Sequence, residues 1–156
     1  MIAVIQRIAE GCVKVDGEII AQCEGKGLLV LLGVARGDEE KDAELLADKI
    51  AKLRIFSDEN DKMNLSVTDV EGGIMVVSNF TLLASYRKGN RPDYMNSADP
   101  ETAERLYEYF TQYIGKYTDK ISHGQFGADM KVAIVNDGPV TIHMDSEVLK
   151  QPKNSK

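Results

Sequence analysis

The stretch Gly73-Ile74-Met75-Val76-Val77-Ser78-Asn79-Phe80-Thr81-Leu82 decides how the rest of the chain is read. Ile74 to Val77 is an unbroken apolar run, β-branched at three of four positions, as in a strand buried on both faces. It passes directly into Ser78, Asn79, Phe80 and Thr81. A core strand has no packing reason to end in hydroxyls and an amide, because each buried polar group needs a partner or an opening. Such an end is either the floor of a small-molecule site or a strand leaving the core for a turn. The side chain of Asn79 is expected to alternate away from Ser78 and Phe80.

Outward from this strand, the elements alternate between two periods. Residues 1–8 read as a first strand, and 11–21 as a hairpin turning at Asp16-Gly17, a strong two-residue turn signal. In that register Cys12 faces Ala21 and Cys23 lies beyond, so no disulfide is expected. Residues 27–34 form another buried strand. Asp38 is placed to cap a helix running to about Arg54, with Leu46, Ile50 and Leu53 as its apolar stripe. Short strands follow at 54–57 and 63–67. Residues 84–98 have no period and form a long loop. Asp99-Pro100-Glu101 starts a second helix with a cap, a first-turn proline and an acid. Its apolar face includes Leu106, Tyr107, Phe110 and Ile114, which reads as core packing. Strands at 120–126, 130–135 and 140–144 close the chain, the last two joined by 136–139. The order gives one mixed α/β domain over 1–146, largely antiparallel, with a curved or barrel-like sheet and two main helices. Residues 147–156 are a polar tail, expected to fray.

The totals set limits. At 156 residues the chain makes about one domain. A net charge of -6 argues against coating nucleic acid by bulk charge, though not against a local basic patch. No apolar run approaches a membrane span, and no signal peptide is visible, so a cytoplasmic protein is expected. His123 and His143 have no Cys or carboxylate at metal-ligand spacing. Neither a metal nor a cofactor is expected. Thr81 can be a nucleophile, but no general base lies near it in the chain; either histidine can supply one only through the fold.

Three stretches place Gly, Pro or hydroxyl residues at strand ends: 78–82, 126–130 and 136–141. Together with Ala3-Val-Ile-Gln-Arg7, Gly25-Lys-Gly-Leu-Leu-Val-Leu-Leu-Gly33, Leu53-Arg-Ile-Phe56 and Lys62-Met-Asn-Leu-Ser66, they make the chain resemble the D-aminoacyl-tRNA deacylases. The most specific matches are Ser78-Asn79-Phe80-Thr81 and Gly138-Pro139-Val140-Thr141. Asn79 stands where that family usually has Gln, which keeps the amide but shortens its reach by one methylene.

The resemblance implies an ester hydrolase that removes D-amino acids, and glycine in part, from the terminal adenosine of tRNA. It implies a homodimer whose active sites are completed across the interface by the partner's Gly-Pro loop. Ser78, Phe80 and Thr81 become the catalytic candidates, with the Phe80 and Thr81 backbone N–H groups facing a developing oxyanion. Gly138 and Pro139, joined by a cis bond in the family, become a chiral filter. Asn79 lies beside the substrate, Arg7 holds the filter, and Phe126 and Met130 line the adenosine pocket. Arg87, Lys88 and Arg91, on the loop after the active strand, are placed to meet tRNA phosphates. Attack is activated either by Thr81 or by the ribose 2′-hydroxyl assisting a water. The rival reading is a non-catalytic dimer that binds an RNA end or a small molecule.

Overall fold

The structure, a computed structural model, describes residues 1–154. Its elements in chain order are β1 (Ile2–Val15), β2 (Glu18–Cys23), β3 (Gly27–Gly33), α1 (Glu40–Ala51), β4 (Phe56–Ser57), β5 (Met63–Leu65), β6 (Gly73–Ser78), α2 (Pro100–Ile114), β7 (Ile121–His123), β8 (Lys131–Asp145) and α3 (Ser146–Lys150). A single 3₁₀ turn, Phe80–Leu83, follows β6. No helix among the described residues is long and apolar enough to cross a membrane.

The central strand behaves as its composition requires. β6 lies between β3 and β7, parallel to both. Ile74 and Val76 face one core cluster, and Met75 and Val77 face the other. β3 does the same: Leu28, Val30 and Leu32 join the first cluster and Leu29 the second. The first cluster is roofed by Leu46, Ile50, Leu106, Phe110 and Ile114 from α1 and α2. Each such side chain, fully withdrawn from water, contributes roughly 2 kcal/mol.

The antiparallel part is built on β1. One edge pairs with β3 through Ile2 to Ile8 and with β2 through Gly11 to Val15; the other edge pairs with β8. The sheet curls until the Ser122 hydroxyl of β7 donates to Gln22 O of β2 at 3.3 Å, giving a nearly closed, barrel-like form. The mixed α/β plan read from the sequence is therefore the one observed, with α3 added to the two main helices.

Several boundaries differ from expectation, each for a physical reason. The hairpin turns at Asp16 and Gly17, both at positive φ. A bulge between Val13 and Lys14 then shifts its register, so Val13, not Cys12, faces Ala21. Both cysteines are free. Asp38 does not cap α1. Its carboxylate accepts the Met1 amine and the Ala35 N–H, and the helix begins one residue later, with Asp42 Oδ2 accepting the Glu39 N–H at 2.9 Å. α1 stops at Ala51 rather than near Arg54, whose Nε donates to Asn64 O in β5. β7 is shorter than the expected 120–126.

The largest difference concerns 130–144. The two expected strands are one strand, β8, paired with β1 from Lys14 to Ile2. Residues 136–139 are a bulge inside it, not a turn between strands, because β1 offers a ladder along the whole length. At the far end, the polar tail opens with α3, capped by Asp145; residues 155 and 156 lie outside the described residues.

Candidate functional site

β6 stops at Ser78 because the neighbouring strand ends in glycine. A Cβ on Gly33 would lie 2.5 Å from Leu83 Cδ2, 3.0 Å from Asn79 O and 3.1 Å from the Leu82 Cβ. Without it the chain folds down over Gly33 into the 3₁₀ turn. The expected strand over 73–82 is thus cut short at Ser78, and Phe80 and Thr81 sit on the turn. The Asn79 N–H still donates to Leu32 O at 2.8 Å, which fixes where the turn starts. A helical turn leaves its leading N–H groups without partners of its own. Among the described residues, the Phe80 and Thr81 N–H groups find none elsewhere.

The side chains of this turn are held from two directions. The Asn79 side chain turns to the residue two positions on: its Oδ1 accepts the Thr81 hydroxyl at 2.5 Å. Phe80 stays 58% exposed, its ring edge-on to Tyr94 at 4.9 Å. Ser97 Oγ donates to Phe80 O at 3.3 Å, and the stretch around it is tied to the end of β3 by Arg36 N to Asn96 O and Ala98 N to Val34 O. Tyr94 and Ser97 sit in the long loop, where no periodicity singled them out.

A cavity of about 1010 Å³ opens beside the turn, and Ser78, Asn79, Phe80, Tyr107, Phe126 and Met130 are among its walls. Tyr107 reaches from α2 to donate to Val76 O at 3.0 Å and lies 3.4 Å from Gly124 O. Burial, reinforced by the Glu108 charge, pushes its phenol up to about 12, so it stays a neutral donor. The sequence marks it as core, which it is; its second task, tying β6 to the loop after β7, has no sequence signature. Phe126 stacks obliquely on it at 5.9 Å, and the Met130 sulfur fills the space where a Cβ on Gly124 would stand.

The remaining sequence-marked residues fall elsewhere. Arg7 spans two elements: Nε donates to Asp137 O at 2.8 Å and Nη1 to Ile55 O at 2.7 Å. It braces the β8 bulge, where the Gly138–Pro139 bond is cis and Gly138 has φ +142. A Cβ there would lie 2.8 Å from Val140 Cγ2. Asn136 Oδ1 closes the bulge by accepting the Val140 N–H. None of Arg7, Gly138 or Pro139 lines the cavity of its own chain. Arg87, Lys88 and Arg91 project from the loop past the turn, all exposed. His123 and His143 do not line the cavity either. Among the described residues, Asp38, Asp42 and Glu147 form a carboxylate group compact enough to hold a metal ion, but the Met1 amine and Lys150 already supply its positive charge.

Similar proteins share this plan. Residues 4–145 match the family described as D-Tyr-tRNA(Tyr) deacylase. A D-aminoacyl-tRNA deacylase of Dictyoglomus turgidum is 52% identical over 156 residues, covering 100% of this chain and 99% of its own. One from Thermosipho melanesiensis is 53% identical over 148 residues, covering 94% and 98%. Among solved structures, a c-Myc DNA Unwinding Element Binding Protein superposes with a TM-score of 0.88 at 42% identity, covering 93% of this chain and 98% of its own. A probable eukaryotic D-amino acid tRNA deacylase shares the fold at a TM-score of 0.78 and 14% identity, covering 92% and 98%.

Proposed function

Because the chain belongs to the D-Tyr-tRNA(Tyr) deacylase family, we propose that it hydrolyses the ester joining a D-amino acid to tRNA, and that the cavity at the end of β6 is where it does so. The non-catalytic alternative finds no support in relatives named as deacylases. The observation that carries the site assignment is the pair of free N–H groups on Phe80 and Thr81, in a turn that runs beside a large, partly apolar cavity.

The ester is already activated, so holding the tetrahedral oxyanion is the main task. Two preset N–H donors do this at no cost of reorganisation, and losing one such donor typically slows a reaction by ~10²-fold. The Thr81 hydroxyl donates its proton to the Asn79 amide oxygen. An amide oxygen is not a base at neutral pH, so Thr81 is left unactivated. That favours the ribose 2′-hydroxyl as the group that assists the attacking water. No metal or cofactor enters this scheme. Phe126 and Met130 provide an apolar wall for the terminal adenosine, the kind of unpaired base that proteins recognise by stacking and edge contacts.

The chiral filter is Gly138–Pro139 from a second copy of the chain. It lies on an edge strand that leaves Val132 and Val135 exposed. A filter of backbone can reject an L side chain of any kind, since a clash discriminates more sharply than added contact. Glycine offers nothing to reject and is a partial substrate. The working unit is therefore a homodimer of single domains spanning 1–146, acting in the cytoplasm on tRNA. Arg87, Lys88 and Arg91 meet its phosphates.

The test is ester loss from D-Tyr-tRNA and L-Tyr-tRNA, with the mass by sedimentation at micromolar concentration. Rapid loss of the D-ester alone, by a dimer, before and after dialysis against EDTA, is expected. Hydrolysis of neither ester, or of both equally, would overturn the reading.

A further inference from the structure

The loop after the 3₁₀ turn is a small, ordered finger. Ser85 and Asp93 exchange both backbone hydrogen bonds, at 2.8 and 2.9 Å. Asp93 Oδ1 then accepts the Met95 N–H, and Gly89, at φ +66, allows the tip to turn back. The finger's base is fixed to the catalytic turn through Tyr94 on Phe80 and Ser97 on Phe80 O. Anything bound along the finger therefore has a defined position relative to the cavity.

Tyr86 stands at its side, 83% exposed. Its ring meets no other ring, and its hydroxyl has no partner among the described residues. Arg87, Lys88 and Arg91 follow within five positions. None of them forms an ion pair among the described residues, although six other basic side chains of this acidic chain do. An aromatic face held beside unneutralised cations is the arrangement that binds single-stranded nucleic acid: the cations follow the phosphates and the ring stacks on a base.

We infer that Tyr86 stacks on an unpaired base of the tRNA acceptor end, just inside the terminal adenosine, while Arg87, Lys88 and Arg91 hold the adjoining phosphates. A paired stem cannot serve, because its bases show no free face. This inference rests on the deacylase reading of the site, since that reading puts the terminal adenosine in the cavity from which the finger rises.

The experiment uses the whole chain and uncharged tRNA, so that binding is read without chemistry. Tyr86→Ala should bind about 5- to 20-fold more weakly, and Tyr86→Phe within about 2-fold of the parent. A blunt-ended stem without the unpaired 3′ run should bind Tyr86→Ala and the parent alike. Lys88→Ala should lower the slope of binding against salt by about one, while Tyr86→Ala leaves it unchanged. The chain has no tryptophan, so Tyr86→Trp supplies a single reporter, whose emission should change with tRNA and not with the blunt stem. Equal tRNA binding by Tyr86→Ala, a silent Trp reporter, or an altered sedimentation mass in Tyr86→Ala would overturn the inference. Failure of the deacylase reading shows separately, as intact D-Tyr-tRNA in the presence of the parent protein.

Discussion

Two places in this molecule gather polar groups at the end of core strands, and they do opposite things. At the corner where β1 starts and β8 ends, Asp42 and Ser146 are 1% and 0% exposed. Ser146 Oγ accepts the Met1 amine at 2.8 Å and donates to Asp42 Oδ1 at 2.6 Å, and Lys150 Nζ lies 2.7 Å from the same carboxylate. Every donor there has an acceptor inside the chain. At the end of β6, Asn79 and Thr81 satisfy each other through their side chains, but the Phe80 and Thr81 N–H groups are left without partners among the described residues, in a turn beside a cavity. A polar strand end is thus no sign of a site in itself. Closed within the chain it is a joint; left open it has donors to spare.

The comparison can be broken hardest at the corner. Asp42→Ala removes three hydrogen-bond acceptances and leaves Lys150 and Ser146 facing the gap, which should cost about 3 kcal/mol. Urea unfolding measures it, with catalysis per folded molecule unchanged. A stable variant with impaired catalysis would show that the corner is not a mere joint.

Acid should act on the same joint more mildly. Burial alone would push the Asp42 carboxyl up. Hydrogen bonds from Lys150, Ser146 and the Glu39 N–H outweigh it and hold the pKa down, from 3.8 to about 2. A depressed carboxyl contributes stability above its unfolded pKa and loses it as pH falls toward the folded one. Stability should therefore decline by about 2 kcal/mol between roughly pH 4 and pH 2. Asp42→Asn should lack that part of the decline in a pH series of unfolding midpoints.

At the open end, Gly33→Ala should shift the 3₁₀ turn, because the new Cβ meets Asn79 O and the Leu83 side chain. The N–H pair then misses the oxyanion, and kcat/KM for D-Tyr-tRNA should fall about 10-fold or more, at a stability cost near 1 kcal/mol. Unchanged kcat would mean that the turn does not hold the oxyanion.

The smallest effect is expected at Asn79. Asn79→Ala frees the Thr81 hydroxyl and removes one exposed hydrogen bond. About a fivefold loss of kcat/KM is expected, with an unaltered melting temperature. A loss of several orders would show that the Asn79–Thr81 pair takes part in the reaction itself.

What the sequence shows of all this depends on the range of the forces involved. β6, β3, α2 and the Asp16-Gly17 turn are legible because periodicity and turn chemistry are local. The β8 bulge is not, since Asn136-Asp137-Gly138-Pro139 reads as a turn unless one knows that β1 runs alongside it. The stop after Ser78 is set by Gly33, 45 positions earlier in the numbering. Asp38 reads as a cap because one of its competing partners, the Met1 amine, comes from the start of the chain, 37 positions away. The candidate site is legible from local signatures at 78–81 and 138–141. Tyr94, Ser97 and Tyr107 act through contacts that no spacing encodes.

β1 carries a further consequence. One edge of it sets where β3 lies, and β3 sets the 3₁₀ turn; the other edge sets where the Gly138 bulge lies. A side chain of the same strand, Arg7, braces that bulge. The two halves of the proposed site thus share one ruler. A residue inserted in β1 between Ile2 and Ile8 would slide both at once and turn alternate side chains to the wrong face. The chain can lengthen at the 58–62 turn, or after α2, without such a penalty. Variation in this protein should collect there, and β1 should be the strand whose length never changes.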